Sequence, residues 1–353
     1  MARRTRRAPK VSVIMPARNV DRFVGRAIES FQNQTLKDFE LLVVDDGSSD
    51  RTGQIAARAS ERDIRIDVIA TPGVGVAGAR NEALARANGE YVLFARGDDW
   101  AEPGLLAELV SCADDNSLDL VVGGFSLDTR QGDKGSQSEV RAGQKAVYLD
   151  QPAFRASAVR LLEGRLLDMV WGMLFRRTAL VRGNRRFDEA SRDDLPFVLA
   201  VISDIERVGV IDSAGYHHVR PVIPRAAQRW RPGLYEECEE EHGWVLSLLG
   251  HWGVADDPAS IEAVQRVYAD RLVSCMENMF RPGCTLSARE RREEAERIVS
   301  SEGARRAAEV AKPKSWLARV LLASVRRQDT GMVLAEARIA ATANRLAGGF
   351  VLA

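Results

Sequence analysis

Disulfide chemistry has little to work with in this chain. Its four cysteines, Cys112, Cys238, Cys275 and Cys284, form no Cys-x-x-Cys pair and are too few for a disulfide framework in 353 residues. A reducing, cytoplasmic setting is the expectation. Net charge is missing too: 50 Lys and Arg cancel 50 Asp and Glu. A domain that grips nucleic acid is normally strongly basic, so no nucleic-acid partner is expected. Long apolar runs are also absent. The greasiest stretches, such as residues 118–125, are strand-sized, well short of the ~18 residues of a membrane span. What remains, 45% hydrophobic and 28% charged residues, is enough to build a core and argues against extended disorder.

Between residues 11 and 127, short β-branched runs alternate with amphipathic stretches, the signature of a parallel sheet with crossover helices. The pattern predicts strands at 11–15, 41–44, 66–70, 91–95 and 118–123. Helical spacing links Phe23, Ala27, Ile28 and Phe31, and again Ala79, Ala83, Leu84 and Ala87. Pro103 suits the start of a helix carrying Leu105, Leu106 and Leu109. Residues 126–144 are polar and glycine-containing and read as a loop. A helix over 152–167, a strand near 173–175, a helix over 195–205 and a strand at 208–211 complete this part. Beyond about residue 225 only helical patterns remain, at 235–249, 261–280, 288–299, 315–325 and 332–346. The expected organisation is a basic tail at 1–9, an α/β domain at 10–225 and a C-terminal helical subdomain at 226–353. The tail carries Arg3, Arg4, Arg6, Arg7 and Lys10 with no acid and no apolar stretch after it, unlike a signal peptide.

Ligands of open parallel sheets bind at the carboxyl ends of the strands. Those ends are polar here: Pro16-Ala17-Arg18-Asn19, Asp45-Asp46-Gly47-Ser48 and Arg96-Gly97-Asp98-Asp99. The Asp46 segment alone also reads as a turn with a helix cap. Converging carboxylates repel unless a cation or a hydrogen-bonding ligand lies between them, and a nucleotide diphosphate with a divalent cation offers both. The glycine-rich loop of nucleotidyl transfer is not seen after the first strand.

The same segments, with Gln32-Asn33-Gln34-Thr35, Gly78-Ala79-Arg80-Asn81 and Asp98-Asp99-Trp100, resemble glycosyltransferase family 2 over about residues 10–225. The resemblance implies the GT-A fold, a Rossmann-like, mostly parallel sheet with flanking helices, here followed by a C-terminal α-helical region. It implies an inverting glycosyltransferase using a nucleotide-diphosphate sugar, a UDP-sugar first among them, with Mg²⁺ or Mn²⁺. The acceptor would be a glycan, lipid-linked or cell-wall polymer hydroxyl. Carried over by position, Pro16, Arg18, Asn19, Asp45, Asp46, Arg80, Asn81, Arg96 and Gly97 match the nucleotide pocket and Asp98 the last acid of the Asp-x-Asp metal motif. Asp193 and Asp194 match the pair bearing the catalytic base, with Asp194 favoured; the same acids also suit a helix N-terminus. Trp171, His217, His218 and Arg220 match segments beside the acceptor and the diphosphate. For the two histidines the plain alternative is one solvent-facing and one packed ring.

One position departs from the family. Arg96 stands where the first acid of Asp-x-Asp is expected. A fixed cation there weakens metal binding, offers a guanidinium fork to phosphate oxygens, or closes on Asp98 or Asp99 as a salt bridge. Arg18 likewise replaces an aromatic. A second reading is therefore a weak or inactive relative that binds nucleotide or glycan as a scaffold. Residues 304–327 mix seven Lys and Arg with Trp316, Leu317, Val320, Leu321 and Leu322. They suit either packing on their own domain or peripheral contact with the inner face of a membrane.

Overall fold

The computed structural model describes residues 8–130, 136–191, 194–224, 229–346 and 350–352. The chain divides into two compact units, Met1–Arg220 and Pro221–Ala353. Most of the expected basic tail, residues 1–7, lies outside the described residues.

In the first unit, β1 (Val11–Ala17) is buried at every position, as a central strand covered on both faces must be. The elements that follow are α1 (Val24–Gln32), β2 (Phe39–Asp46), α2 (Thr52–Arg62), β3 (Ile66–Thr71), α3 (Gly75–Arg86), β4 (Tyr91–Phe94), β5 (Trp100–Ala101), α4 (Leu105–Asn116) and β6 (Leu120–Val122). Then come β7 (Phe125–Arg130), β8 (Ser136–Arg141), β9 (Ala146–Tyr148), α5 (Gln151–Glu163), β10 (Met173–Arg176), α6 (Arg177–Arg182), α7 (Leu195–Ile202), β11 (Val208–Val210) and β12 (Tyr216–Pro224). The main sheet has the order β3-β2-β1-β4-β10-β6-β11-β9. Its first four strands are parallel, and β10 runs antiparallel between β4 and β6. Order reverses beside β1, so the ends of β1, β2 and β4 open a crevice there. Helix α1 explains its own placement: Val24, Ala27, Ile28 and Phe31 form one buried stripe.

Residues 126–144, expected as a loop, contain an antiparallel hairpin in which Phe125 faces Arg141 and Arg130 faces Ser136. The correction has a simple cause. β8 is polar and its described side chains, Ser138, Glu139 and Val140, are exposed, so its sequence carries no hydrophobic alternation. Residues Tyr216 and His217 of β12 pair with Ala101 and Trp100 of β5, which brings the start of β12 under the end of β4.

The second unit contains α8 (Leu234–His251), α9 (Pro258–Asn278), α10 (Ala288–Ser300), α11 (Glu302–Val310), α12 (Trp316–Arg326) and α13 (Thr330–Leu346), with β13 (Phe350–Leu352) paired to Val222–Pro224. The helices share one core that includes Leu272, Met276, Ile298, Leu321 and Val333. Most of the apolar stripe of α12, namely Leu321, Leu322 and Val325, is thus buried, while Trp316 and Val320 stay exposed. No helix among the described residues is long and apolar enough to cross a membrane.

His242 gives this unit a pH dependence. The ring stacks on Tyr268 at 3.9 Å and lies 3.3 Å from Gln265 Nε2, which donates only to an unprotonated ring nitrogen. Burial pushes its pKa down to about 4. The folded state therefore binds fewer protons than the unfolded chain between the ordinary histidine value, ~6.5, and about 4. Stability is fully present above that window and is lost as pH falls through it, by on the order of 3 kcal/mol. Urea unfolding of the helical unit at pH 7 and pH 4, with and without His242→Gln, is expected to show a loss that the variant abolishes.

Candidate active site

The loops after β1 and β2 are tied together by their own polar side chains. Asn19 adopts the left-handed backbone conformation at φ 51°, which asparagine tolerates. Its Oδ1 accepts from the Ser49 backbone N–H at 2.9 Å, and its own N–H donates to Ser48 Oγ at 3.1 Å. Asp45 Oδ1 accepts from the Ser48 N–H at 3.2 Å, and its carboxylate lies so close to α2 that a Cβ on Gly53 would sit 2.2 Å from Oδ2. Asp45 and Asn19 thus shape the rim. Gly47 at φ +68° lets this loop meet the next one: a Cβ there would fall 3.1 Å from the Gly73 nitrogen.

Asp46 is buried beside them. It accepts from Thr71 Oγ1 at 2.7 Å and from the backbone N–H groups of Val74 and Gly75 at 2.7 and 2.9 Å, capping the start of α3. Burial disfavours its charge, but these hydrogen bonds and the nearby Arg18 hold its pKa below the ordinary carboxylate value. Two bonds fill Oδ1; Oδ2 keeps one lone pair, with Arg18 Nη1 3.9 Å away.

A cleft of about 230 Å³ opens here, lined by Pro16, Arg18, Asp46, Arg96, Gly97 and Asp98 with Val20, Gly75 and Val76. Six of the expected site residues therefore share one wall. Gly97 is required by close approach, since a Cβ would stand 2.8 Å from that of Ala17. Arg96 forks onto Asp98, Nε to Oδ1 and Nη2 to Oδ2, both at 2.9 Å, and its Nε lies 3.7 Å from Asp99 Oδ2. Burial opposes both charges of the fork, and the pairing outweighs it: Asp98 titrates below the ordinary carboxylate value and Arg96 above the ordinary guanidinium value.

Residues that could hold the cation expected at Asp-x-Asp do not form a ligand set. Among the described residues no three His, Cys, Asp or Glu side chains are grouped for a metal. Asp98 has both oxygens on Arg96, and Asp99 is committed elsewhere, to Tyr216 Oη at 2.8 Å, His218 Nδ1 at 3.0 Å and the Val219 N–H at 2.9 Å. The donors present fit a guanidinium–carboxylate fork.

Arg80 and Asn81 point elsewhere than into this cleft. The buried Arg80 guanidinium pairs with both oxygens of Asp194. Asn81 clamps the Phe187 backbone, donating to its carbonyl at 2.9 Å and accepting from its N–H at 2.8 Å. The pair thus fixes the segment that ends in Asp194, at the N-terminus of α7. Asp193 lies outside the described residues.

Trp171 is buried, stacked on Tyr216 at 5.5 Å and on His218 at 4.8 Å. Neither histidine faces solvent. His217 stacks on Trp100 at 3.6 Å and contacts Asp128 Oδ2 at 3.0 Å and Glu102 Oε1 at 3.3 Å. Arg220 is half-buried and has no hydrogen bond or ion pair of its own among the described residues. Burial, then Arg141, Arg165 and Arg96, pull its pKa below the ordinary value. Asp128, Arg141 and Arg165 were not singled out by sequence. They sit in segments without a motif, and only the fold brings them near β12.

Residues 12–181 match the family profile described as Glycosyl transferase family 2. An uncharacterized glycosyltransferase of Bacillus subtilis (strain 168), EpsJ, is 31% identical over 249 residues, 70% of this chain and 72% of that protein. Among solved structures, S. aureus TarS 1–349 in complex with UDP-GlcNAc superposes with a TM-score of 0.62 at 19% identity, covering 96% of this chain and 92% of that one. The mannosyltransferase PcManGT from Pyrobaculum calidifontis, in complex with GDP-Man and Mn²⁺, reaches 0.50 at 16% identity, covering 96% and 88%.

Proposed function

The chain belongs to glycosyltransferase family 2, and on that premise we propose that this glycosyltransferase inverts the anomeric centre as it moves a sugar from a UDP-sugar to a glycan, lipid-linked or cell-wall polymer hydroxyl. The observation that carries the reading is the cleft at the ends of β1, β2 and β4, where Asp46 and the Arg96–Asp98 fork share a wall. An Oδ2 lone pair on Asp46 suits a base N–H, and Arg96 suits diphosphate oxygens. The UDP-GlcNAc in the TarS complex supports a uridine donor.

In the proposed step the acceptor oxygen forms a bond to the anomeric carbon while the bond from that carbon to the diphosphate oxygen breaks. The acceptor's proton passes to the Asp194 carboxylate, and the bonding electron pair leaves with the diphosphate. Arg80 holds Asp194 in one orientation, as a general base needs. Cationic side chains near the departing diphosphate offset its charge.

The test is release of nucleoside diphosphate from a panel of UDP- and GDP-sugars, with the product anomer read by NMR. Turnover of at least one donor with inverted product is expected. Nucleotide binding without release from any donor would instead mark a sugar-nucleotide-binding scaffold.

A lipid-linked acceptor would bring the protein to the inner face of a membrane. Exposed Trp316 and Val320 stand among exposed Lys312, Lys314, Arg319 and Arg327, with no acid between Glu309 and Asp329. That composition supports peripheral contact with anionic lipid. Co-sedimentation with phosphatidylglycerol vesicles is expected at low salt, weakened by high salt and by Trp316→Ala. Absence of binding at low salt removes this part of the reading.

A further inference from the structure

We infer that Arg96, with Arg220 beside it, is the seat of the donor's diphosphate, so that nucleotide-diphosphate binding by this chain needs no divalent cation; the inference rests on the donor class proposed above. Arg96 occupies the cleft wall at the end of β4, in the position where an acid is expected for metal binding. Its fork to Asp98 uses two of the five guanidinium N–H donors, leaving both on Nη1 and one on Nη2 for an incoming anion. Its geometry is fixed without the ligand: the Arg96 backbone N–H donates to Tyr216 Oη at 3.0 Å, and that hydroxyl donates to Asp99. Arg26 Nη2 reaches the Asp98 carbonyl at 3.4 Å and steadies the same loop.

Arg220 supplies the second observation. Three other guanidiniums, on Arg141, Arg165 and Arg96, are close enough to act on it. Each of those three is paired, with Glu139 at 3.0 Å, Asp168 at 2.5 Å and Asp98. Arg220 alone lacks an anion among the described residues. A diphosphate carries the charge and the oxygens that this arrangement leaves unmatched. The carboxylates are meanwhile spent on holding arginines, which leaves a hard cation without ligands.

The experiment is calorimetric titration of the full chain with UDP and with UMP, each in EDTA and in Mn²⁺. UDP affinity is expected to be the same in both buffers. Arg96→Ala should weaken UDP in EDTA by about 10- to 100-fold, the worth of a charge-assisted hydrogen bond, while UMP is unaffected. Unchanged UMP binding also certifies that the variant is folded. Arg96→Lys should recover part of the loss, and Arg96→Asp should bind UDP only when Mn²⁺ is added. Wild-type UDP binding that disappears in EDTA and returns with Mn²⁺ overturns the inference and leaves the proposed function standing. Equal loss of UMP and UDP in both Arg96→Ala and Arg96→Lys overturns it as well. If neither nucleotide nor any sugar nucleotide binds in either buffer, the proposed donor class itself fails.

Discussion

Asp194→Asn is expected to lower kcat by about 10²- to 10⁴-fold, the usual contribution of a general base, with nucleotide affinity unchanged. Asparagine is the right substitution because of Arg80. That guanidinium is buried on Asp194, and its Nε already lacks a partner among the described residues. An amide oxygen still accepts from Arg80 and keeps the segment from Phe187 to Asp194 in place. Asp194→Ala would leave the charge buried and unpaired, at a cost of about 3–5 kcal/mol, and would confuse misfolding with lost chemistry. Steady-state release of nucleoside diphosphate at saturating donor and acceptor measures the effect. If Asp194→Asn keeps more than a tenth of the wild-type kcat, the proton goes elsewhere.

The second large effect is on stability. Asp99 is 1% exposed and receives three hydrogen bonds, from Tyr216, His218 and Val219, with Arg96 nearby. Asp99→Ala removes the acceptor for all of them at once. A loss of about 3–5 kcal/mol is expected, which lowers the melting temperature of the first unit by roughly 6–20 °C. Tyr216 is wholly buried, and burial together with Asp99 pushes its phenol pKa well above the ordinary value, so it remains a donor that has lost its partner. Because Tyr216 also receives the Arg96 N–H, Asp99→Asn is expected to stay folded yet raise KM for the donor. Thermal unfolding followed by circular dichroism, alongside donor titration of the Asn variant, separates the two effects.

Much of this architecture was legible in the sequence for a physical reason. Strands buried on both faces, such as β1 and β4, must be continuous apolar runs, and polar residues closing such runs mark the ligand edge. The cleft wall of Pro16, Asp46, Arg96 and Asp98 follows from that logic. Other parts were hidden. The exposed strand β8 has no apolar face, and the two-residue β5 exists only through pairing with β12. Side-chain direction was equally illegible: Arg80 and Asn81 precede the cleft in sequence but reach the 187–194 segment, across more than 100 positions. His217 and His218 both pack because Trp100 and Trp171 supply ring faces that only the fold aligns with them.

The most direct measurement is a crystal structure of the protein with a UDP-sugar bound in EDTA. The account predicts the uracil beside Asp46 and Pro16, the diphosphate within hydrogen-bond distance of Arg96, and the sugar turned toward Asp194. A nucleotide outside this cleft, or a diphosphate that leaves Arg96 untouched, would contradict it.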